Sequence, residues 1–171
     1  MINLTTPIKE SDIDRLKVGE KVLISGVIYT ARDQAHIRLI NEENPQFDLK
    51  GSVIFYVGPT PARDNVPIGA SGPTSSYRMD KLSTPLMKKG LKIMIGKGDR
   101  SEEFRQSMID NHSVYLIATG GAGALLSSCV IKSEVIMYED LGAEAIRKLE
   151  VKDFPCFVAY DIYGNNIFKR S

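Results

Sequence analysis

Three short apolar runs in this 171-residue chain, Ser52 to Val57, Leu91 to Ile95 and Ser113 to Thr119, each lead into a junction rich in glycine and then into a segment of helical character. Each run is too short for a helix and rich in β-favouring residues, so each reads as a buried strand. Strands that alternate with helices in this way restrict the chain to an α/β domain with parallel pairing. Lys21 to Thr30 (KVLISGVIYT) reads as a further strand, and Asp33 is placed to cap the helix that follows it. A helix is expected from Thr74 toward Lys89, with Thr84-Pro85 marking a restart or kink and Gly90 its C-terminal cap. Ser101 is the expected N-cap of the next helix, with Glu102 and Glu103 suiting its dipole. Strands are expected over Val130 to Tyr138 and Phe154 to Tyr160, separated by a helix through Ala143 to Glu150. A hairpin turn is expected over Asp161 to Asn166. Gly58 to Pro73 carries four prolines and three glycines and reads as a long loop of the kind that carries function.

Hydrophobic residues make up 43% of the chain, enough for one core, and residues 1–171 read as a single domain. Lys and Arg total 22 against 21 Asp and Glu, so no global charge draws the chain to nucleic acid or to an anionic membrane. Anion binding has to be local. No apolar run reaches the ~20 residues that cross a bilayer, and the start MINLTTPIKESD lacks a signal sequence, so a cytoplasmic location is expected. Cys129 and Cys156 both sit in apolar surroundings that suit buried thiols, and no metal site is expected on this chain.

The junctions carry the chemistry. GASGPTSSYR (Gly69 to Arg78), IGKGDRS (Ile95 to Ser101) and TGGAGAL (Thr119 to Leu125) all follow strands, and in open α/β sheets ligands bind beyond the carboxyl ends of the strands. If these strands are parallel neighbours, the three junctions converge. Helix N-termini, close backbone approach at Gly96, Gly98, Gly120 and Gly121, and the charges of Arg78 and Lys97 all suit an anion. Thr74 and Arg78 are four apart and share a helix face if a helix starts near Thr74. Thr30 to Arg38 (TARDQAHIR) adds Arg32, a candidate for a ligand carboxylate, and Asp33 three residues before His36, spaced to orient the imidazole and raise its pKa. The plain alternatives stay open: glycine turns required by sterics, a capped surface helix at Arg32 to Arg38, and a solvated Arg78. His112 has no partner in view and reads as structural.

Taken together, TARDQAH, YVGP (Tyr56 to Pro59), GPTSSYRMD (Gly72 to Asp80), IGKGDRS, GGAGAL and EAIRKLEVKDFP (Glu144 to Pro155) resemble, in order and over nearly the whole chain, the β subunit or C-terminal region of class I fumarases and L-tartrate dehydratases. The resemblance implies a swivelling β/β/α domain with a mixed sheet. It implies reversible hydration of a small dicarboxylate, fumarate to L-malate or the tartrate reaction, with no cofactor on this chain. A partner α subunit would carry a 4Fe-4S cluster acting on the departing hydroxyl. By motif position Arg32, Arg78 and Lys97 correspond to carboxylate-binding cations and Thr74 to the proton acceptor, with Asp33, His36, Gly96, Gly98, Gly120 and Gly121 in support. A threonine hydroxyl is a weak base and needs neighbouring cations to act. Many relatives read GPTTAGRMD, so Ser75, Ser76 and Tyr77 are a local departure that bears on specificity or subunit fit.

Two other readings stay open. One is a free-standing phosphate or nucleotide binder, weakened by the lack of a G-x-x-x-x-G-K-[ST] motif and by the broken G-x-G-x-x-G spacing of GGAGAL. The other is a domain kept only for assembly. An isolated chain with its partner surface open would be prone to self-associate as a homo-oligomer.

Overall fold

The computed structural model describes residues 1–56, 80–118 and 128–168. Among them, in chain order, run β1 (Ile2–Thr5), α1 (Glu10–Asp14), β2 (Lys21–Thr30), α2 (Asp33–Ile40), β3 (Val53–Phe55), α3 (Asp80–Lys88), β4 (Ile93–Gly96), α4 (Glu102–Asp110), β5 (Val114–Ile117), β6 (Val130–Met137), a 3₁₀ segment (Glu139–Glu144) and β7 (Ile146–Tyr160). The sheet is mixed. Strands β2, β3, β4 and β5 are parallel neighbours in that order, and β1 is parallel to the first half of β2. Strand β7 runs antiparallel to both β5 and β2, so β2-β3-β4-β5-β7 closes on itself as a barrel, with β6 added to the far edge of β7.

Strand alternation sorts the apolar residues between two cores, as the period of two requires. Ile28, Val53, Phe55, Ile93, Ile95, Val114, Leu116, Leu149 and Val151 fill the barrel interior. The intervening Ile54, Tyr56, Met94 and Tyr115 pack outside it with Ala35 and Leu39 of α2, Leu86 and Met87 of α3, and Phe104 and Met108 of α4. The barrel is thus filled with side chains, as small barrels are, and three helices cover one outer face.

Several expected elements are found where the residues placed them. Strand β2 spans Lys21 to Thr30, Ser101 Oγ accepts the Phe104 N–H at 3.1 Å as the cap of α4, and Asp161 organises the turn after β7. Gly90 ends α3 with φ +108°, its N–H on the Met87 carbonyl and the Leu91 N–H on that of Leu86. A Cβ there would sit 2.7 Å from Lys50 Cα, so both backbone and space require glycine. Pro85 lies inside α3 rather than starting a new helix. The expected start near Thr74 falls outside the described residues.

The segment Ala143 to Glu150 departs from expectation. It is not a helix: after the 3₁₀ segment it becomes the first third of β7. Ile146 and Leu149 are three apart and mimic a helical face, yet they pack on opposite sides of the strand, Ile146 outside the barrel and Leu149 inside. Hydrogen bonding to β2 on one edge and β6 on the other outweighs the helix propensity of AEAIRKLE. Asp33 is likewise not a cap but the first residue of α2. Arg32, in an extended conformation, occupies the cap position without a side-chain cap bond. Cys156 is buried in the barrel, where burial pushes its thiol up, whereas Cys129 is only partly buried, and both are free thiols. No helix among the described residues is long and apolar enough to cross a membrane.

Asp80 joins the helical layer to the barrel edge. Its carboxylate accepts the Ser101 N–H at 2.7 Å and pairs with Arg100 Nε, whose side chain is fully buried against Phe104 (3.7 Å to the ring centroid), Tyr115 and Tyr56. Removing one partner of a buried pair strands the other charge. Asp80→Ala is therefore expected to cost about 3–5 kcal/mol in urea unfolding, while breaking the exposed Arg38–Asp140 pair leaves the unfolding midpoint unchanged.

Candidate active-site edge

Four parallel neighbours bring their C-terminal ends to one side, and the junctions singled out in the sequence open from those ends. Strand β2 leads to Arg32, β4 to Lys97, β3 into the segment that returns at Asp80, and β5 into the segment that returns at Ser128. The condition of parallel adjacency is met. Thr74, Arg78, Gly120 and Gly121, with Ser75, Ser76 and Tyr77, lie outside the described residues.

Arg32 follows Thr30 and Ala31 at the top of β2. Ala31 packs with the helices, so Arg32 falls on the opposite, barrel-side parity, shared with the fully buried Thr30. Its Nε is buried and lacks a hydrogen-bond partner among the described residues. Lys97, two residues past the inward-facing Ile95, continues the barrel-side parity of β4 and is exposed. Gly96 is buried as the last residue of β4. Gly98 has φ +82°, which explains its glycine without any close approach of a ligand.

The loop after Lys97 is held from behind. Tyr115 donates its hydroxyl to the Gly98 carbonyl at 3.0 Å, and Tyr160 donates to the Asp99 carboxylate while accepting the Arg100 N–H. Arg100 then pairs with Asp80, two residues beyond Arg78 in the chain. Two junctions with candidate ligand residues are thus joined through one buried ion pair, and the sequence reading did not single out either member. The signal was present only as polar residues, Asp80 and Arg100, inside otherwise recognised motifs. Their sequence separation of 20 hid the contact.

His36 departs from expectation. It is fully buried and its pKa is lowered to about 4, first by burial, with the Arg100 charge adding to this and the Arg32 hydrogen bond and Asp33 opposing it. Its partner is the Arg32 carbonyl, 2.9 Å from Nδ1, so Nδ1 carries the proton and donates. Nε2 has no partner among the described residues, and the ring packs edge-on to Tyr56. Neutral His36 holds the backbone of Arg32 and does not serve as an acid near neutral pH.

The opposite end of the barrel has a different character. His112, at φ +55°, contacts the carboxylates of Glu10 and Asp14, and Lys92 pairs with Glu10 at 2.7 Å. The partner-less reading of His112 is thereby corrected, because α1 supplies both acids from about a hundred residues away. Lys92 and His112 hold the Glu10 carboxyl below its usual range. Among the described residues no group of three or more His, Cys, Asp and Glu is arranged to hold a metal ion.

The fold and this edge define an α/β domain whose barrel carries cations at the C-terminal ends of its parallel strands. The sequence profile described as Fumarase C-terminus matches residues 1–171, and the chain belongs to that family. A Geobacillus stearothermophilus protein provisionally named fumarate hydratase class I is 37% identical over 98% of this chain, and the anaerobic class I fumarate hydratase of Escherichia coli is 35% identical over 99%. The chain spans about a third of their length, 33% and 32%. A Methanocaldococcus jannaschii protein provisionally named L(+)-tartrate dehydratase subunit beta is 37% identical over 94% of this chain, which covers 88% of that relative.

The His36 assignment has a measurable sign. With an unfolded pKa of 6.5 and a folded value of about 4, the unfolded chain binds the extra proton between these values, so stability falls as pH drops through that window. The loss from this group reaches about 2 kcal/mol at pH 5 relative to pH 7.5. Urea unfolding at the two pH values is expected to show a steeper acid loss in the wild type than in His36→Gln by that amount. Equal slopes would contradict a buried neutral histidine.

Proposed function

We propose that this chain supplies the substrate-binding and proton-handling half of a hydro-lyase that reversibly adds water across the C=C bond of a dicarboxylate, fumarate to L-malate, in complex with an α subunit. The observation that carries the reading is the convergence of Arg32, Lys97 and the Asp80-anchored end of the GPTSSYRMD segment beyond adjacent parallel strands. A dicarboxylate needs two sets of cationic contacts, and an anion that gains charge at one carboxylate during proton removal needs them most in the transition state.

In this reading Arg32, Arg78 and Lys97 bind the carboxylates and Thr74 takes the proton from carbon, its alkoxide favoured by the neighbouring cations. Arg100 and Asp80 hold the Lys97 loop to the start of α3, and His36 fixes the cap conformation of Arg32. The chain's own residues do not suit an iron–sulphur cluster: Cys156 is buried in the barrel and Cys129 directly precedes β6, with no third cysteine. In this proposal the 4Fe-4S cluster belongs to the α subunit. Cytoplasmic location is part of the same proposal. The 37% identity to relatives of both names supports L(+)-tartrate as the second substrate to be assayed.

Combined anaerobically with a cluster-loaded α subunit, the chain is expected to turn over fumarate or L-tartrate. Lys97→Ala and Arg78→Ala are expected to lower kcat/KM by about 10²–10³, with assembly intact by size-exclusion chromatography. Robust hydration by the isolated chain, or variants with wild-type turnover, would refute the proposal.

A further inference from the structure

Strand β7 brings a further cation to the same edge. In the β2–β7 ladder Arg147 lies directly opposite Thr30, and the register is regular from there to Leu149 and Val151. Leu149 and Val151 face the barrel interior, so Arg147, two residues before Leu149, has the same inward parity. It sits at the level where the inner core ends, beside the buried Thr30, whose hydroxyl accepts the Arg147 N–H at 3.2 Å. Arg32 follows two residues beyond Thr30 on the same parity, just past the last ladder pair; diagonal positions within a ladder lie about 7–8 Å apart, a separation that two guanidinium groups can span.

The two arginines share a second property. Nε of Arg147, like Nε of Arg32, is buried and lacks a hydrogen-bond acceptor among the described residues. Guanidinium stays charged at any working pH, and a buried N–H without an acceptor is unfavourable. Two like charges held together at one barrel mouth add repulsion. A carboxylate group answers both, since it accepts from guanidinium in a forked geometry and neutralises charge. Among the described residues no carboxylate is seen to do so for Arg147, whose cross-strand neighbours are Thr30 and Val135.

We propose that Arg147 is a further substrate-binding residue, which together with Arg32 grips one carboxylate of the dicarboxylate at the barrel mouth. This rests on the hydro-lyase reading and assigns the β7 side of that same site. The contact exists in bound substrate and transition state alike, so its loss acts on binding rather than on the chemical step.

The test is steady-state kinetics of the reconstituted complex with Arg147→Gln and Arg147→Lys, on fumarate and L-tartrate. Arg147→Gln is expected to raise KM about tenfold or more with kcat within about threefold, and Arg147→Lys to recover part of the loss. Wild-type KM in Arg147→Gln would overturn the inference. Absence of turnover by the wild-type complex would instead count against the hydro-lyase reading. In that case, or if the variants do not fold, phenylglyoxal labelling of the wild-type full chain decides. Protection of Arg147 by saturating fumarate or L-tartrate supports the inference, and equal labelling with and without them overturns it.

Discussion

Strand β7 pairs with β2 from Lys21 to Thr30 on one edge and with β5 on the other, and this double pairing closes the barrel. Within the closed ring β2 to β5 run in the same direction, so their C-terminal ends all open on one side. The remaining architecture follows from that geometry. Inward residues fill a packed interior and outward residues meet α2, α3 and α4; just past the strand ends Ala31, Tyr56 and Ala118 continue these two cores, while Lys97 is exposed. Lys97, and Arg32 one position past Ala31, are the cations beside those ends.

The two ends of the barrel separate charge that the whole chain balances. A formal net charge of +1 conceals a cationic edge with Arg32, Lys97 and Arg147 at the C-terminal ends of the parallel strands, and an ion-paired cluster of Glu10, Asp14, Lys92 and His112 at the N-terminal ends. The N-terminal cluster is satisfied within the chain and serves to dock α1 beneath the sheet. The cationic edge contains buried donors that the described residues leave without acceptors. Among the described residues, the paired groups of the N-terminal cluster and the unpaired buried donors of the cationic edge distinguish a structural network from a binding surface.

Local signals were the most legible part of the sequence. Strand β2, the Ser101 cap and the Gly90 terminus each depend on residues within a few positions of one another. The parallel adjacency of the strands that lead into the glycine-rich junctions was also foreseen, because apolar runs alternating with helices imply parallel pairing. Long-range pairing was not legible. AEAIRKLE carries helical spacing and propensity, and only hydrogen bonding with β2 and β6 converts it to strand. That conversion moved Arg147 from an anonymous helix surface to the barrel mouth. The same limit hid the partners of His112 and the Asp80–Arg100 pair. The direction of the His36 shift depended on burial that spacing alone could not report.

The central claim is that the C-terminal ends of the parallel strands form a dicarboxylate site. Amide chemical-shift mapping of the isotopically labelled full chain during titration with fumarate and with L-tartrate tests it most directly. The account predicts shifts concentrated at Arg32 and Asp33, at Lys97 to Ser101, and at Arg147, with Glu10, Asp14 and His112 unmoved. Shifts centred on the Glu10–His112 end, or none at any concentration up to saturation of the reconstituted complex, would contradict it.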